Sequence, residues 1–256
     1  MGFDTVTELP GQKITGEQLA RLYQRYHFAQ QFCKDKEVLE VACGGGMGLG
    51  YLAKVAKKVV GGDLDRNILK NPLEYYKERD NIEIREFDAQ NLPYEDNSFD
   101  VVILFEAIYY LEKPEKLVSE ARRVLKNKGV LLICTVNKDW ADFNPSPYST
   151  RYFSAPELYS LLIKKFSKVN LFGAFPVSKK GVKNKIISLI KRMAKAFNLM
   201  PKTMKGKETF KRIFLGKLTT LSPEIEDGEI EYSPPVAITS TYLDHQHKVL
   251  FSVSYI

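Results

Sequence analysis

Residues 40–48 read "EVACGGGMG", with three consecutive glycines following directly on an apolar run. Glycine inside a strand or helix costs stability, so such a cluster marks backbone that bends tightly or approaches something closely. The run before it, "EVLEVAC" (37–43), reads as a short buried strand, and "LGYLAKVAKK" after it reads as a helix. A glycine-rich turn between a first strand and its helix is where a doubly wound sheet binds nucleotide-like ligands.

The rest of the chain supports that architecture. "TGEQLARLYQRYHFAQQF" (15–32) has apolar residues at helical spacing, with Thr15 placed to cap it and Gln18 three residues on. Strand patterns recur at 59–65, 81–89, 99–107 and 128–137, alternating with helical ones at "NPLEYYKER" after Pro72 and at 115–127. The apolar strands are expected to be buried on both faces of a parallel sheet. A helix at 155–166 and strands at 167–175 and 247–256 complete the pattern. The fold expected is α/β: a doubly wound, seven-stranded, mostly parallel sheet with a basic helical insertion between its last two strands. Residues 1–176 and 241–256 form the main domain, and 177–240 the insertion.

The 256 residues carry a formal charge of +7. From 177 to 217 there are thirteen Lys and Arg against Glu208 alone, so this segment is +12 and the remainder −5. It contains two amphipathic patterns, "NKIISLIKRMAKAF" and "KETFKRIFLGKL". No run of about 18 apolar residues suggests a membrane span. The first residues lack the pattern of a secretory signal. Cys33, Cys43 and Cys134 are far apart beside apolar runs and read as small buried residues of a reducing cytosol.

Which ligand the glycines serve is decided by spacing. The dinucleotide pattern G-x-G-x-x-G fails at Leu49 or Tyr51, and the phosphate-binding loop fails because Tyr51 stands where Lys is required. What remains is G-x-G-x-G at Gly44, Gly46 and Gly48. With this loop, "VVGGDLD", "EFDAQNLPYEDNSFDVVI" and "EARRVLKNKGVLLI", in order over residues 36–137, the chain resembles class I S-adenosylmethionine-dependent methyltransferases. "RYHFAQQFCKDKEVLEVACGGG", "FEAIYYLEKPEKLVSEARRVLK" and "NPSPYSTRYFSAPELYSLLIKKFSKVNLFGA" narrow the resemblance to the branch found in polysaccharide and glycan biosynthesis.

The resemblance implies S-adenosylmethionine as cofactor, with Asp63 on the ribose hydroxyls, Leu64 on the adenine, and Asp88 and the Ala89 amide on its polar edge. Glu40 and the backbone of Ala42, Cys43, Gly44 and Gly46 line the methionine end, Arg25 and Tyr26 close over it, and Phe105 lies beneath the sulfonium. The ligand carries no phosphate, which suits a loop without Lys or Arg. Asp65 reads as a helix cap rather than a ligand.

The branch pattern Phe-Glu-x-x-Glu-His appears here as "FEAIYY", so Tyr109 and Tyr110 replace a familiar Glu-His pair. The candidate catalytic groups are then Glu106, Tyr109 and His27, with His245 and His247 as further histidines. "HQH" has no third ligand at suitable spacing, and no metal site is expected. The expected function is methyl transfer in the cytoplasm to a small or glycan-linked acceptor, most simply a sugar hydroxyl. The +12 segment also admits a nucleic-acid acceptor, or an anionic substrate or membrane surface to which the protein is peripheral. The branch often also reads Asn-Pro-Tyr-His where this chain has "NPSPYS", and loss of both familiar histidines admits a cofactor-binding protein without catalysis.

Overall fold

The computed structural model describes residues 7–146, 148–177, 218–228 and 230–256. The basic segment and its two amphipathic patterns, at 178–217, lie outside the described residues.

The chain opens with a short strand, β1 (Lys13–Thr15), leading into helix α1 (Gly16–Cys33). Thr15 caps α1 as its sequence implies: its hydroxyl accepts from the Gln18 amide, and the Gln18 side chain accepts from the Thr15 amide. Strand β2 (Glu37–Val41) runs into the glycine loop, followed by α2 (Leu49–Ala53), β3 (Lys58–Asp63), α3 (Arg66–Tyr75), β4 (Ile82–Glu86) and β5 (Phe99–Phe105). Then come α4 (Pro114–Val124), β6 (Leu125–Val136), α5 (Ala155–Leu162), β7 (Lys168–Pro176), β8 (Leu218–Thr220), β9 (Val236–Ile238) and β10 (His247–Tyr255).

The main sheet has eight strands, not seven, in the order β4-β3-β2-β5-β6-β10-β7-β9. The pairs from β4 through β6 are parallel, and β10 is antiparallel to both of its neighbours. The eighth strand, β9, pairs through three residues with the outer edge of β7. It is too short to show a period of two. A separate two-stranded ribbon joins β1 to β8, so the chain beyond residue 217 returns to lie beside the start of α1.

Consecutive strand residues alternate between two cores. Val38, Val101 and Ile103 face a core shared with α1, α2 and Leu221 and Ile225. Leu39, Val102 and Leu104 face one shared with α4 and α5. Burial on both faces is what makes these strands read as nearly continuous apolar runs.

Two element boundaries depart from expectation. Helix α3 begins six residues before Pro72, because Asp65 caps it by accepting from the Asn67 amide. Pro72 therefore sits inside the helix, against the glycine loop. Strand β6 begins at Leu125, directly after α4, and the β5–β6 register shifts between Phe99 and Val101. That irregularity absorbs the residues that look like a turn.

From β2 the chain builds outward to β3 and β4, and from β5 it builds the other way. The order therefore reverses between β2 and β5, and a crevice opens beyond their carboxyl ends. Ala42–Gly46, Asp63–Leu64, Phe87–Gln90 and Glu106–Tyr110 all follow strands that end at that edge.

Candidate functional site

The crevice is a cavity of about 610 Å³ walled by these strand ends and by the inner face of α1. Its lining includes Arg25, Tyr26, Glu40, Ala42, Cys43, Gly44, Asp63, Leu64, Asp88, Ala89, Phe105, Glu106 and Tyr109, which is every expected site residue except Gly46 and His27.

At one end, two backbone amides aim Asp63. Gly44 N donates to its Oδ2 and Asp65 N to its Oδ1, both at 3.0 Å. Burial nevertheless raises its pKa, those amides only partly offsetting the lost hydration. Asp88 is held in the same manner by the Gln90 amide at 2.8 Å. Leu64 is exposed at 58%, a large apolar side chain open at the cavity rim.

Deeper in, Glu40 is fully buried at 1% exposure. Its Oε1 accepts from the Tyr26 hydroxyl at 2.6 Å, while Oε2 has no partner. Burial pushes its pKa up to about 7, against the pull of Tyr26 and Arg25. The Arg25 Nε is likewise buried and unpartnered. A buried carboxylate oxygen and a buried guanidinium N–H left unpaired are costly unless something that enters the cavity pairs with them.

Close packing brings Tyr26 there. A Cβ at Gly48 would lie 1.9 Å from the Tyr26 ring. Gly46 has φ +70°, and a Cβ on it would lie 2.6 Å from Pro72. Gly46 does not line the cavity. It gives Pro72 room, and its carbonyl accepts from the Tyr76 hydroxyl at 3.0 Å. The loop's glycines thus serve protein packing as well as the cavity wall.

Glu106 follows β5 in a left-handed conformation (φ 52°) that non-glycine residues adopt rarely. Its Oε2 accepts from the Tyr109 hydroxyl at 3.0 Å. Burial raises its pKa, partly offset by Arg25, Arg21 and Tyr109. Tyr109 is clamped by Tyr152, stacked at 4.8 Å, and by Tyr110, edge-on at 4.6 Å.

His27 lies elsewhere. Its Nδ1 meets the Tyr51 hydroxyl at 2.9 Å and its ring packs 3.9 Å from Tyr232, on the side of α1 turned from the cavity. His245 bonds the Asp139 carbonyl and His247 the Asp244 carboxylate. None of the three histidines lines the cavity. Residues the sequence did not single out also line it: Thr7, Glu8, Gln18, Arg21, Met47 and Gln90. Gln18 and Arg21 were legible in principle, since they precede Arg25 by seven and four residues on one helix face. Thr7 and Glu8 carry no periodicity. Among the described residues no group of three or more His, Cys, Asp or Glu is placed to hold a metal ion.

Residues 39–133 match the family model described as "Methyltransferase domain". That stretch is similar to a methyltransferase domain. The matched stretch begins in β2 and ends in β6 and contains the glycine loop, Asp63, Asp88 and Glu106. A probable S-adenosylmethionine-dependent methyltransferase of Mycobacterium tuberculosis is 34% identical over 150 residues, covering 56% of this chain and 53% of that protein. A fatty-acid O-methyltransferase of Mycolicibacterium smegmatis is 36% identical over 114 residues, 43% of this chain and 41% of that one. The chain spans about half the length of the first of these relatives, and less of the second. The crystal structure of a putative methyltransferase from Bacillus halodurans, 21% identical, covers 94% of this chain and 99% of its own with a TM-score of 0.55, a likeness of fold.

The cavity fits S-adenosylmethionine by the chemistry of its donor set. Asp63 would accept from the ribose hydroxyls and Asp88 from the adenine amine. The unpaired Glu40 oxygen would accept from the ammonium, and Arg25 would donate to the carboxylate.

Proposed function

We propose that the protein transfers a methyl group from S-adenosylmethionine to an oxygen of a small or glycan-linked acceptor that enters beside Glu106 and Tyr109. The observation that carries this reading is the Glu106–Tyr109 pair at the end of β5. A half-buried carboxylate at the cavity wall, its pKa raised by desolvation, is a better proton acceptor than a solvated one.

When bound, S-adenosylmethionine supplies a methyl group on a sulfonium, an excellent leaving group. Positioning of the acceptor between α1 and β5 can lower the barrier by roughly 7–11 kcal/mol. Glu106 Oε1, to which the Cys134 thiol donates at 3.7 Å, would take the proton of the acceptor hydroxyl as that oxygen gains the methyl group. The other oxygen, Oε2, keeps its bond from Tyr109, which fixes the carboxylate's orientation. The cofactor would supply the methyl group and keep the electrons of its carbon–sulfur bond on sulfur.

Glu106→Gln should lower kcat for a hydroxyl acceptor by about 10²–10⁴-fold. The affinity for S-adenosylhomocysteine should not change. Turnover and calorimetry on the same variant check both, and an unchanged kcat would remove Glu106 from the mechanism.

The glycan-linked acceptor rests on the resemblance over residues 25–175. The likeness to a fatty-acid O-methyltransferase favours a second reading, a lipid carboxylate acceptor. A carboxylate is already deprotonated and needs no base, so Glu106→Gln would then leave kcat intact. A screen of nucleotide sugars against fatty acids separates the two. The +12 segment at 177–217 is proposed to draw an anionic acceptor, or an anionic membrane surface bearing it, toward the cavity. No helix among the described residues is long and apolar enough to cross a membrane.

A further inference from the structure

The cation at the methionine end of the cavity already has an anion. Arg25 Nη2 donates to Glu8 Oε2 at 2.8 Å, and the Arg25 side chain is 11% exposed against 27% for Glu8. Its Nε–H is buried without a partner. A guanidinium presents its donors as a planar fork that suits a bidentate carboxylate, and here only part of the fork is used on Glu8.

Glu8 reaches Arg25 from a stretch that lies on the glycine loop. A Cβ on Gly44 would stand 2.8 Å from the Thr7 methyl, and one on Gly45 3.2 Å from the Glu8 carbonyl oxygen. The stretch is anchored farther along, where Gly11 N donates to the Leu221 carbonyl at 2.9 Å and β1 pairs with β8. Thr7 and Glu8 therefore form a covering over the same wall to which the cofactor's amino-acid end is assigned.

We infer that Glu8 is a built-in stand-in for the cofactor carboxylate: it holds Arg25 until S-adenosylmethionine arrives and is displaced from the guanidinium on binding. This rests on the S-adenosylmethionine reading of the cavity. Exchange is favoured over sharing because the cavity already contains Glu40, Asp63 and Glu106. A further carboxylate added beside Glu8 would meet like charge at low dielectric. The arrangement keeps a buried guanidinium from ever standing without a counter-ion. It also couples cofactor entry to the lifting of residues 7–10 from Gly44 and Gly45.

The test is calorimetry on the full chain and on E8Q with two ligands, S-adenosylhomocysteine and 5′-methylthioadenosine, which lacks the amino-acid end. E8Q should bind S-adenosylhomocysteine more tightly, by about tenfold if Glu8 holds Arg25 in nine molecules of ten. Methylthioadenosine should bind both proteins equally. Unchanged or weaker S-adenosylhomocysteine binding by E8Q overturns the inference and makes Glu8 a positioning group, and an equal gain for both ligands overturns it too. If neither ligand binds the unaltered chain, the cofactor reading itself fails and the stand-in with it. Should E8Q not fold, hydrogen exchange of residues 7–12 in the unaltered chain decides: faster exchange with S-adenosylhomocysteine supports displacement, and unchanged or slower exchange refutes it.

Discussion

Asp63 is the residue on which cofactor binding should depend most. Its carboxylate is aimed by two amides and placed to accept from two hydroxyls, each charge-assisted bond contributing about 1.5–3 kcal/mol. Asp63→Ala should therefore weaken S-adenosylhomocysteine binding by at least about tenfold, and calorimetry showing no change would unseat the assignment. Glu40 makes a prediction in pH. The folded chain keeps its proton up to about pH 7, whereas the unfolded reference value is 4.5. The folded state thus binds more protons across that window, and the Glu40 contribution to stability falls as pH rises through it. An ammonium placed at Glu40 favours the ionised form, so S-adenosylhomocysteine affinity should rise with pH up to about 7. Glu40→Gln should flatten both profiles, measured by urea denaturation and calorimetry. Asp63, Asp88 and Glu106 line one cavity because each stands at or just past the end of a strand at the same sheet edge. His27 was misjudged because helical periodicity locates a residue on a helix without saying which neighbour that face will meet, and here the neighbour is Tyr51 and Tyr232 from distant sequence.

Among the elements, the glycine loop and α1 define each other's position. The Tyr26 ring occupies the space that any side chain at residue 48 would need. Gly48→Ala should push Tyr26 off Glu40, at a cost of roughly 1–3 kcal/mol for overpacking, and lower the melting temperature by several degrees. Cofactor affinity should fall with it. A melting temperature and affinity both unchanged would show that the loop has more slack than its packing implies. The loop's existence was plain in the sequence, and so was the capping box of α1. The reason for each glycine was not, because Pro72 and Tyr26 approach from other elements and leave no local trace. Helix α3 was legible in part: Asp65 reads as a helix cap and caps it, whereas Pro72, read as preceding the helical stretch, lies inside the helix.

At the scale of the molecule, seven of the eight main-sheet strands follow from alternation and apolar runs, and so does the reversal that makes the cavity. The three-residue β8 and β9 do not, because strands that short acquire their conformation from the partner they pair with. The position of β10 bears on how the protein is made. It lies between β6 and β7 and bonds to both along nearly its whole length. On the ribosome, β7 is complete while residues 177–246 are still to be added, and throughout that interval β6 and β7 each expose an edge of unpaired amides and carbonyls. Those edges cannot settle against each other without closing the gap that the last strand must enter. A nascent chain halted at residue 246 should accordingly be insoluble or held by chaperones, which sedimentation of stalled translation products would detect. Emergence of residues 247–256 is then the step that lets the sheet close.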